Sequence, residues 1–222
     1  MKYIKKGKEP SSFTSWKKQQ QLTNQTPIWK HFNQSVKNDV FEALLREQGY
    51  ICCYCGSRIT RNKCHIEHLK PKGIDTYKHL MFEYTNLLAS CQGESEAPPP
   101  VPVHCGHKKG AWYDEHLMIS PLEANCADFF IYTEDGQILE TDALDKKAAA
   151  ATTIKMLCLN IPKLTAMREE VIKNLLADID IDKLTDEERQ KLVQGFEQPD
   201  AKGQYQEFWG AIAYILNQYF IT

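Results

Sequence analysis

The sequence lacks several features that would place it in a familiar class. The 222 residues contain no GxxxxGK(S/T) pattern, so nucleotide hydrolysis through a P-loop is not expected. No apolar run approaches the roughly 18 residues of a membrane-spanning helix, and no apolar stretch follows the N-terminal lysines as it would in a signal peptide. There is also no internal repeat. We therefore expect a cytoplasmic protein with no membrane partner.

A strong excess of one charge is also missing, because the net charge is only −2. The charge is unevenly distributed, however. Residues 1–120 contain 17 Lys and Arg against 11 Asp and Glu, whereas residues 121–222 contain 10 against 18. A net charge of +6 beside one of −8 fits a phosphate-binding surface joined to a scaffold or docking region. The alternative is a chance asymmetry of solvated faces.

Cysteine, in contrast, is plentiful. Eight cysteines in a chain without a signal peptide favour metal binding over a disulfide framework. Cys52 and Cys55 have the spacing of a zinc knuckle, in which two thiolates at a tight turn reach one tetrahedral Zn²⁺. Cys91 and Cys105 can complete the set across the Pro-rich loop 96–103. The alternative is that the four are buried free thiols, which are common in protein cores.

The stretch CHIEHLKPKG, residues 64–73, concentrates groups that chemistry uses. On a strand, Glu67 and His68 point to opposite sides, so one can bind a metal while the other activates water. A neutral imidazole can take that proton near pH 7, and a divalent cation can stabilise the charge of a phosphorane. Four lysines could hold the flanking phosphates: Lys70, Lys72, Lys108 and Lys109. These residues predict phosphodiester cleavage; the alternative for His68 alone is a surface histidine.

Apolar periodicity predicts the first elements of structure. Residues 1–35 look like a polar arm held by a few aromatic anchors. The apolar residues between Val36 and Leu45 predict a helix that ends at Gly49. Residues 64–70 are predicted to form a short strand, and a short helix is predicted around the leucine pair at 87–88.

The second half of the chain is predicted to begin with a hairpin and to continue as helices. The Asp135-Gly136 turn predicts pairing of Phe129–Thr133 with Ile138–Glu140. Pro162 is expected near the start of one helix, a capping box is predicted at Thr185–Glu188, and the last apolar stretch predicts a final helix.

The motifs, in this order, resemble an HNH nuclease of the ββα-metal class. The matching stretches are Cys52-x-x-Cys55, Glu67-His68-Leu69-Lys70-Pro71, Asn86-Leu87, Cys91, and HCGHKKG at His104–Gly110. Longer stretches, including MKYIKKGKEPSSF, LLREQGYICCYCG and TIKMLCLNIPKL, resemble the PtuB-like HNH subunit of Septu-type antiphage systems, which is also found with retrons. This resemblance covers most of the chain and is weakest after about residue 180.

The resemblance implies an α+β, mainly helical fold with three parts. Residues 1–50 would be a basic arm and helix, residues 51–120 a ββα-metal core with structural zinc, and residues 121–222 a β-hairpin and helical region. The structural Zn²⁺ would be held by Cys52, Cys55, Cys91 and Cys105.

The resemblance also implies catalytic roles. His68 would be the general base, and Asn86 would orient the catalytic loop. Glu67 would be the first ligand of a catalytic Mg²⁺ or Mn²⁺. The second would be His107, with His104 as a rival.

Two features depart from the family pattern. Many HNH enzymes place the second ligand directly after the last zinc cysteine, where this chain has Gly106. Glu67 stands where Asp or His is more frequent. His65 ranks lower as a ligand, although on a strand it would share a face with Glu67.

The function implied is that of an endonuclease in antiphage defence. DNA is the favoured substrate, and the same site could instead cut RNA such as tRNA. A third interpretation is a catalytically inactive, zinc-stabilised binding module. The implied partners are an ABC/SMC-like ATPase (PtuA-like) and, in retrons, the reverse transcriptase with its msDNA.

Overall fold

A computed structural model of the chain describes residues 1–22, 27–93, 102–177, 179 and 183–220. These ranges contain seven α-helices and two separate two-stranded antiparallel sheets. The helices are α1 (Ser11–Leu22), α2 (Gln34–Glu47), α3 (Cys105–Lys109), α4 (Leu144–Leu157), α5 (Pro162–Ala177), α6 (Asp186–Glu197) and α7 (Trp209–Phe220). The strands are β1 (Cys64–His68), β2 (Leu87–Cys91), β3 (Phe130–Tyr132) and β4 (Ile138–Glu140). None of the helices in these ranges is long and apolar enough to cross a membrane.

Helix α1 lies within the predicted N-terminal arm, residues 1–35. Phe13 and Trp16, three residues apart, share one helix face and are buried. Their rings pack against Phe32, with centroids 5.5 and 4.8 Å away. Phe13, Trp16 and Phe32 are therefore confirmed as aromatic anchors of the N-terminal segment. The helix itself was not predicted, because polar side chains surround the two apolar positions and leave little periodic signal.

Helix α2 is the helix predicted from residue 36 onward, and it leads directly into the site. The Asn33 side chain caps it by accepting a hydrogen bond from the Val36 backbone N–H at 3.1 Å. At its other end, the buried Gln48 side chain donates to the carbonyl of Ala89 at 2.8 Å and accepts from the Ala89 N–H at 2.7 Å. This amide pair fixes the end of α2 against the middle of β2.

Strands β1 and β2 form the first sheet, with Cys64 opposite Cys91 and His68 opposite Leu87. The strand predicted for residues 64–70 is confirmed for its first five residues. The prediction of a short helix around residues 87–88 was wrong, since these leucines begin strand β2. All five residues of β2 are buried. A strand buried on both faces is a continuous apolar run, which periodicity alone does not distinguish from a helix.

The predicted hairpin is confirmed as β3 and β4. Gly136 at its turn has a φ of +79°, which few other residues adopt. A Cβ on Gly136 would also lie 2.1 Å from the carbonyl oxygen of Thr165 on α5. Of the predicted Pro-rich loop 96–103, residues 96–101 lie outside the described residues.

The C-terminal helices follow the predicted start signals. Pro162 is the first residue of α5, and Thr185 with Glu188 forms the predicted capping box of α6. A buried arginine on α5 was not predicted. The Arg168 guanidinium donates to the carbonyl of Gly136 at 2.6 Å and to that of Leu159 at 2.8 Å, so it joins the hairpin to the helices.

The segment before α7 packs on the turn that carries Cys52 and Cys55. Phe208 is buried, and its backbone N–H donates to the carbonyl of Gly56 at 2.8 Å. Glu207 accepts from the Arg58 backbone N–H at 2.8 Å. One hydrophobic core contains buried residues from Met1 to Ile215. The C-terminal helices therefore pack in the same core as the four cysteines and the first sheet.

Candidate metal centre and active site

Four cysteines meet at one point, as their spacing predicted. The sulfurs of Cys52, Cys55, Cys91 and Cys105 all lie within 4.8 Å of one another. The first two come from the turn after α2, the third ends β2, and the fourth begins α3. The cluster therefore joins three elements that are distant in the sequence.

The geometry of the cluster fits a tetrahedral metal site. Ligands about 2.3 Å from one Zn²⁺ at tetrahedral angles have sulfurs about 3.8 Å apart, and Cys55 Sγ lies 3.9 Å from Cys91 Sγ. Backbone N–H groups also point at the sulfurs: that of Cys91 lies 3.3 Å from Cys52 Sγ, and that of Ser57 lies 3.5 Å from Cys55 Sγ. Such donors stabilise thiolates. The four residues could hold a metal ion such as zinc.

Two neighbouring cysteines stay outside this set. Burial raises the pKa of Cys53 well above its usual value and that of Cys64 to about 12, so both remain neutral thiols. His104 is buried against the cluster, with Nδ1 3.1 Å from Cys105 Sγ. The structure thus places the predicted rival ligand His104 beside the cysteines.

Glu67 lies on one side of β1 and is almost fully buried. Its Oε1 pairs with Lys109 Nζ at 2.9 Å and accepts from the Tyr54 hydroxyl at 3.2 Å, while Oε2 lies 3.3 Å from His65 Nε2. Although burial alone would raise it, the His65 hydrogen bond and the Lys109 ammonium hold the pKa of Glu67 below its usual value. Glu67 is therefore a carboxylate at neutral pH.

His68 belongs to different surroundings from its neighbour. Its Nε2 lies 3.1 Å from the carbonyl oxygen of Met81, and its ring meets Trp29 edge-on with centroids 4.4 Å apart. Burial, and then the positive charge of Lys72, lower the pKa of His68 to about 4. The imidazole is therefore neutral at neutral pH, with its position fixed by a carbonyl and an aromatic ring.

Asn86 holds the segment that follows β1. Its Oδ1 accepts from the Lys70 backbone N–H at 2.8 Å, and its Nδ2 donates to the carbonyls of Lys70 at 3.0 Å and Leu80 at 3.2 Å. Through these three hydrogen bonds, the buried Asn86 side chain joins the backbone at Lys70, two residues after His68, to the backbone at Leu80.

The four predicted phosphate-binding lysines are not equivalent. Lys70 pairs with the exposed Glu115 at 3.2 Å, and the half-buried Lys72 lies 5.6 Å from the ring of Trp29. Lys108 is exposed on α3. The fourth, Lys109, has its ammonium buried against Glu67 and also donates to the His68 carbonyl at 3.0 Å.

His65 and His107, the other two histidines considered as ligands, adjoin each other. The ring of His65 lies 4.2 Å from that of His107, measured between centroids. His107 Nε2 lies 2.9 Å from Gln92 Oε1, whereas His65 Nε2 faces Glu67. The sequence ranked His65 below His107 as a metal ligand, but His65 is the one whose Nε2 faces Glu67.

Three features of the site were not predicted: the hydrogen bond from Tyr54 to Glu67, the ring contact between Trp29 and His68, and the burial of Lys109. Tyr54 lies between Cys52 and Cys55 in the sequence, and this position beside the cysteine pair could have indicated that it lies near the site. Trp29 and Lys109 reach the site through long-range packing of α3 and of the segment before α2, which no local pattern reports.

In chemical terms, the molecule combines a cluster of thiols suited to a soft cation with a buried carboxylate and a neutral imidazole on one strand.

No protein-family model matches the chain. The chain is 34% identical over 149 residues to a protein of Vibrio cholerae serotype O1 biovar El Tor named "Retron Vc95 putative HNH endonuclease". The match covers 66% of this chain and 69% of that protein. The chain belongs to the HNH endonuclease family.

Proposed function

We propose that this protein is a metal-dependent endonuclease in which His68 activates the attacking water. The observation that carries the proposal is the hydrogen bond between His68 Nε2 and the Met81 carbonyl. A carbonyl only accepts, so Nε2 carries the proton of the neutral ring. The lone pair is then on Nδ1, which takes the proton of the water as it attacks phosphorus in line.

Glu67 is the proposed ligand of the catalytic ion. Its Oε1 is already shared by Lys109 and Tyr54, which leaves Oε2 as the oxygen available to Mg²⁺ or Mn²⁺. When bound, the ion would stabilise the charge on the phosphoryl group and on the leaving oxygen. The resulting ends would be a 5′-phosphate and a 3′-hydroxyl.

The remaining roles are proposed from position. Asn86 keeps His68 in place by fixing the backbone after β1. Lys70, Lys72 and Lys108 would contact phosphates flanking the cut as point charges. Lys109 would hold Glu67 instead, since its ammonium is buried against that carboxylate.

The other parts of the proposal concern architecture and zinc. The antiparallel pair β1–β2 followed by α3 would be the ββα-metal core, within residues 51–120, and the four clustered cysteines would hold a structural Zn²⁺. A site closed by four thiolates has no open position, so this ion would stabilise the fold without taking part in cleavage.

The biological setting is proposed from the relative, whose name places it in a retron. We propose that this chain is the nuclease of an antiphage complex with a PtuA-like ATPase, and that it is Septu-like. DNA is the favoured substrate. RNA such as tRNA is the second candidate, because a site built to read a phosphodiester backbone does not select the sugar.

The test is a cleavage assay that compares the wild type with His68→Ala and with His116→Ala, a matched change at an exposed histidine. Plasmid DNA and total tRNA are each offered with Mg²⁺, Mn²⁺ or EDTA, with and without the ATPase. We expect metal-dependent cleavage in the wild type and His116→Ala, and none in His68→Ala.

The nucleic acid that is consumed separates the DNA proposal from the RNA one. Cleavage that persists in His68→Ala would remove that residue from the mechanism. Failure to cut either nucleic acid, even with the ATPase present, would favour the zinc-stabilised binding module.

A further inference from the structure

We propose that His65, rather than His107, is the second protein ligand of the catalytic ion. The inference rests on the proposed metal-dependent activity and concerns its ligand set. The two carboxylate oxygens of Glu67 face different groups. Oε1 is occupied by Lys109 and Tyr54, and Oε2 faces His65 Nε2 at 3.3 Å.

The separation of these two atoms fits neighbouring ligands of one ion. Ligand atoms about 2.1 Å from Mg²⁺ and at right angles to each other lie about 3.0 Å apart. The observed 3.3 Å between Oε2 and Nε2 is close to that value. His65 and Glu67 are two residues apart on β1, so the strand itself directs both side chains to the same side.

Gly106 gives the second reason. A Cβ at this position would lie 2.6 Å from Glu67 Oε2 and 2.6 Å from His65 Nε2. Gly106 does not have a positive φ, so its backbone conformation does not require glycine. What glycine supplies here is space, and that space adjoins the two atoms that would share the ion.

The neighbouring histidine makes a different contact. His107 Nε2 lies 2.9 Å from Gln92 Oε1, on an exposed side chain. The Nδ1 atom of His65 is buried and has no hydrogen-bond partner within the described part of the chain. The ring nitrogen proposed to bind the ion is the other one, Nε2, which faces the Glu67 carboxylate, whereas Nε2 of His107 faces the Gln92 amide oxygen.

The test measures Mn²⁺ binding to the full-length, zinc-loaded protein without nucleic acid. The free Mn²⁺ signal is followed by electron paramagnetic resonance in the wild type, His65→Ala, His107→Ala and Glu67→Gln. Zinc content and melting temperature are recorded for each. We expect His65→Ala to weaken binding about tenfold or more, as loss of a ligand or its support typically does, and His107→Ala to bind as the wild type does.

A spectroscopic readout separates a ligand from a residue that only positions Glu67. Electron spin-echo modulation of bound Mn²⁺ detects a directly coordinated nitrogen. With ¹⁵N-histidine, the wild type and His107→Ala should show that coupling, even if His65→Ala were to fold poorly. Wild-type Mn²⁺ affinity in His65→Ala, or loss of the nitrogen coupling in His107→Ala, would overturn the inference.

The failure of the inference can be distinguished from the failure of the proposed function. If Glu67→Gln weakens Mn²⁺ binding but His65→Ala does not, the metal site stands and only its second ligand is misassigned. If Glu67→Gln also binds Mn²⁺ as the wild type does, the proposed metal site itself is wrong. Gly106→Ala adds a check, because its methyl group should reduce Mn²⁺ binding while the four cysteines retain zinc.

Discussion

At the scale of single residues, the buried ion pair of Glu67 and Lys109 shows how the site manages charge. The Lys109 side chain is 1% exposed and that of Glu67 is 8% exposed. Two buried charges are tolerated when each has partners, and removing one partner leaves the other uncompensated. The His65 hydrogen bond and the Lys109 ammonium together keep Glu67 ionised, although burial alone would raise its pKa.

We predict that Lys109→Met will destabilise the metal-free protein by about 3 kcal/mol, because Glu67 loses its buried counter-charge. In a protein of this size, that corresponds to a melting temperature lower by about 6–12 °C. Mn²⁺ should restore part of the loss, since a bound cation replaces the missing charge. Thermal unfolding with Mn²⁺ or with EDTA measures both effects.

The matched control for this prediction is Lys108→Met, which changes the adjacent exposed lysine. Its melting temperature should stay near that of the wild type. Equal melting temperatures for Lys109→Met and Lys108→Met would show that the buried pair contributes little to stability. A loss in Lys109→Met that Mn²⁺ leaves unchanged would argue against Glu67 as a metal ligand.

At the scale of elements, the cysteine cluster connects parts of the chain that are distant in the sequence. It joins the turn after α2, the end of β2 and the start of α3. Helix α3 is only five residues long and cannot be stable by itself. A bound metal ion at Cys105 would therefore fix the helix that carries Lys109 and adjoins Glu67.

We predict that Cys55→Ala will lower both zinc content and solubility, because the binding energy of a structural metal is part of the folding energy. Cys64→Ala is the control, since that thiol is neutral and outside the cluster. Zinc per chain is measured by mass spectrometry, and folding by circular dichroism. A well-folded, zinc-free Cys55→Ala protein would count against a structural role for the ion.

Sequence patterns could predict the elements of the site better than their mutual arrangement. The clustering of the four cysteines followed from spacing, because a CxxC turn and two later cysteines have few other arrangements that bind one ion. The positions of Glu67 and His68 on opposite sides of β1 followed from the period of a strand. The identity of the metals and the roles of the site residues remain predictions.

What the sequence could not predict depends on long-range packing. Lys109 was expected to face phosphates, but α3 packs so that its ammonium reaches Glu67. The leucine pair of β2 was expected to be helical because strands buried on both faces have no alternating pattern. The proximity of Gly106 to His65 depends on the same docking of α3 and is invisible in the spacing alone.

At the scale of the whole molecule, the acidic second half of the chain forms part of the support of the basic first half. Phe208 and Glu207 contact the turn that carries the cysteines. Thr153 on α4 accepts from the Ile119 backbone N–H at 3.0 Å and donates to the Leu117 carbonyl at 2.8 Å. The residues that carry the proposed chemistry are thus held by a core that continues into the C-terminal helices.

This continuity predicts that residues 1–120 will not fold alone. Truncation after residue 120 would expose the apolar residues that the helices cover, among them the buried Ile119, and would remove the contacts on the turn around Gly56. We expect the 1–120 fragment to be poorly soluble, to hold less zinc than the full chain and to unfold without a cooperative transition. Circular dichroism melting and zinc analysis measure these properties.

Co-expression of residues 121–222 as a separate chain provides the control, because the same contacts can then form between two fragments. It should restore solubility and zinc content to the 1–120 fragment. A 1–120 fragment that is soluble, zinc-loaded and cooperatively folded by itself would contradict the prediction. In that case residues 121–222 would be free of a supporting role, and their acidic surface would become the first place to look for docking of the proposed ATPase.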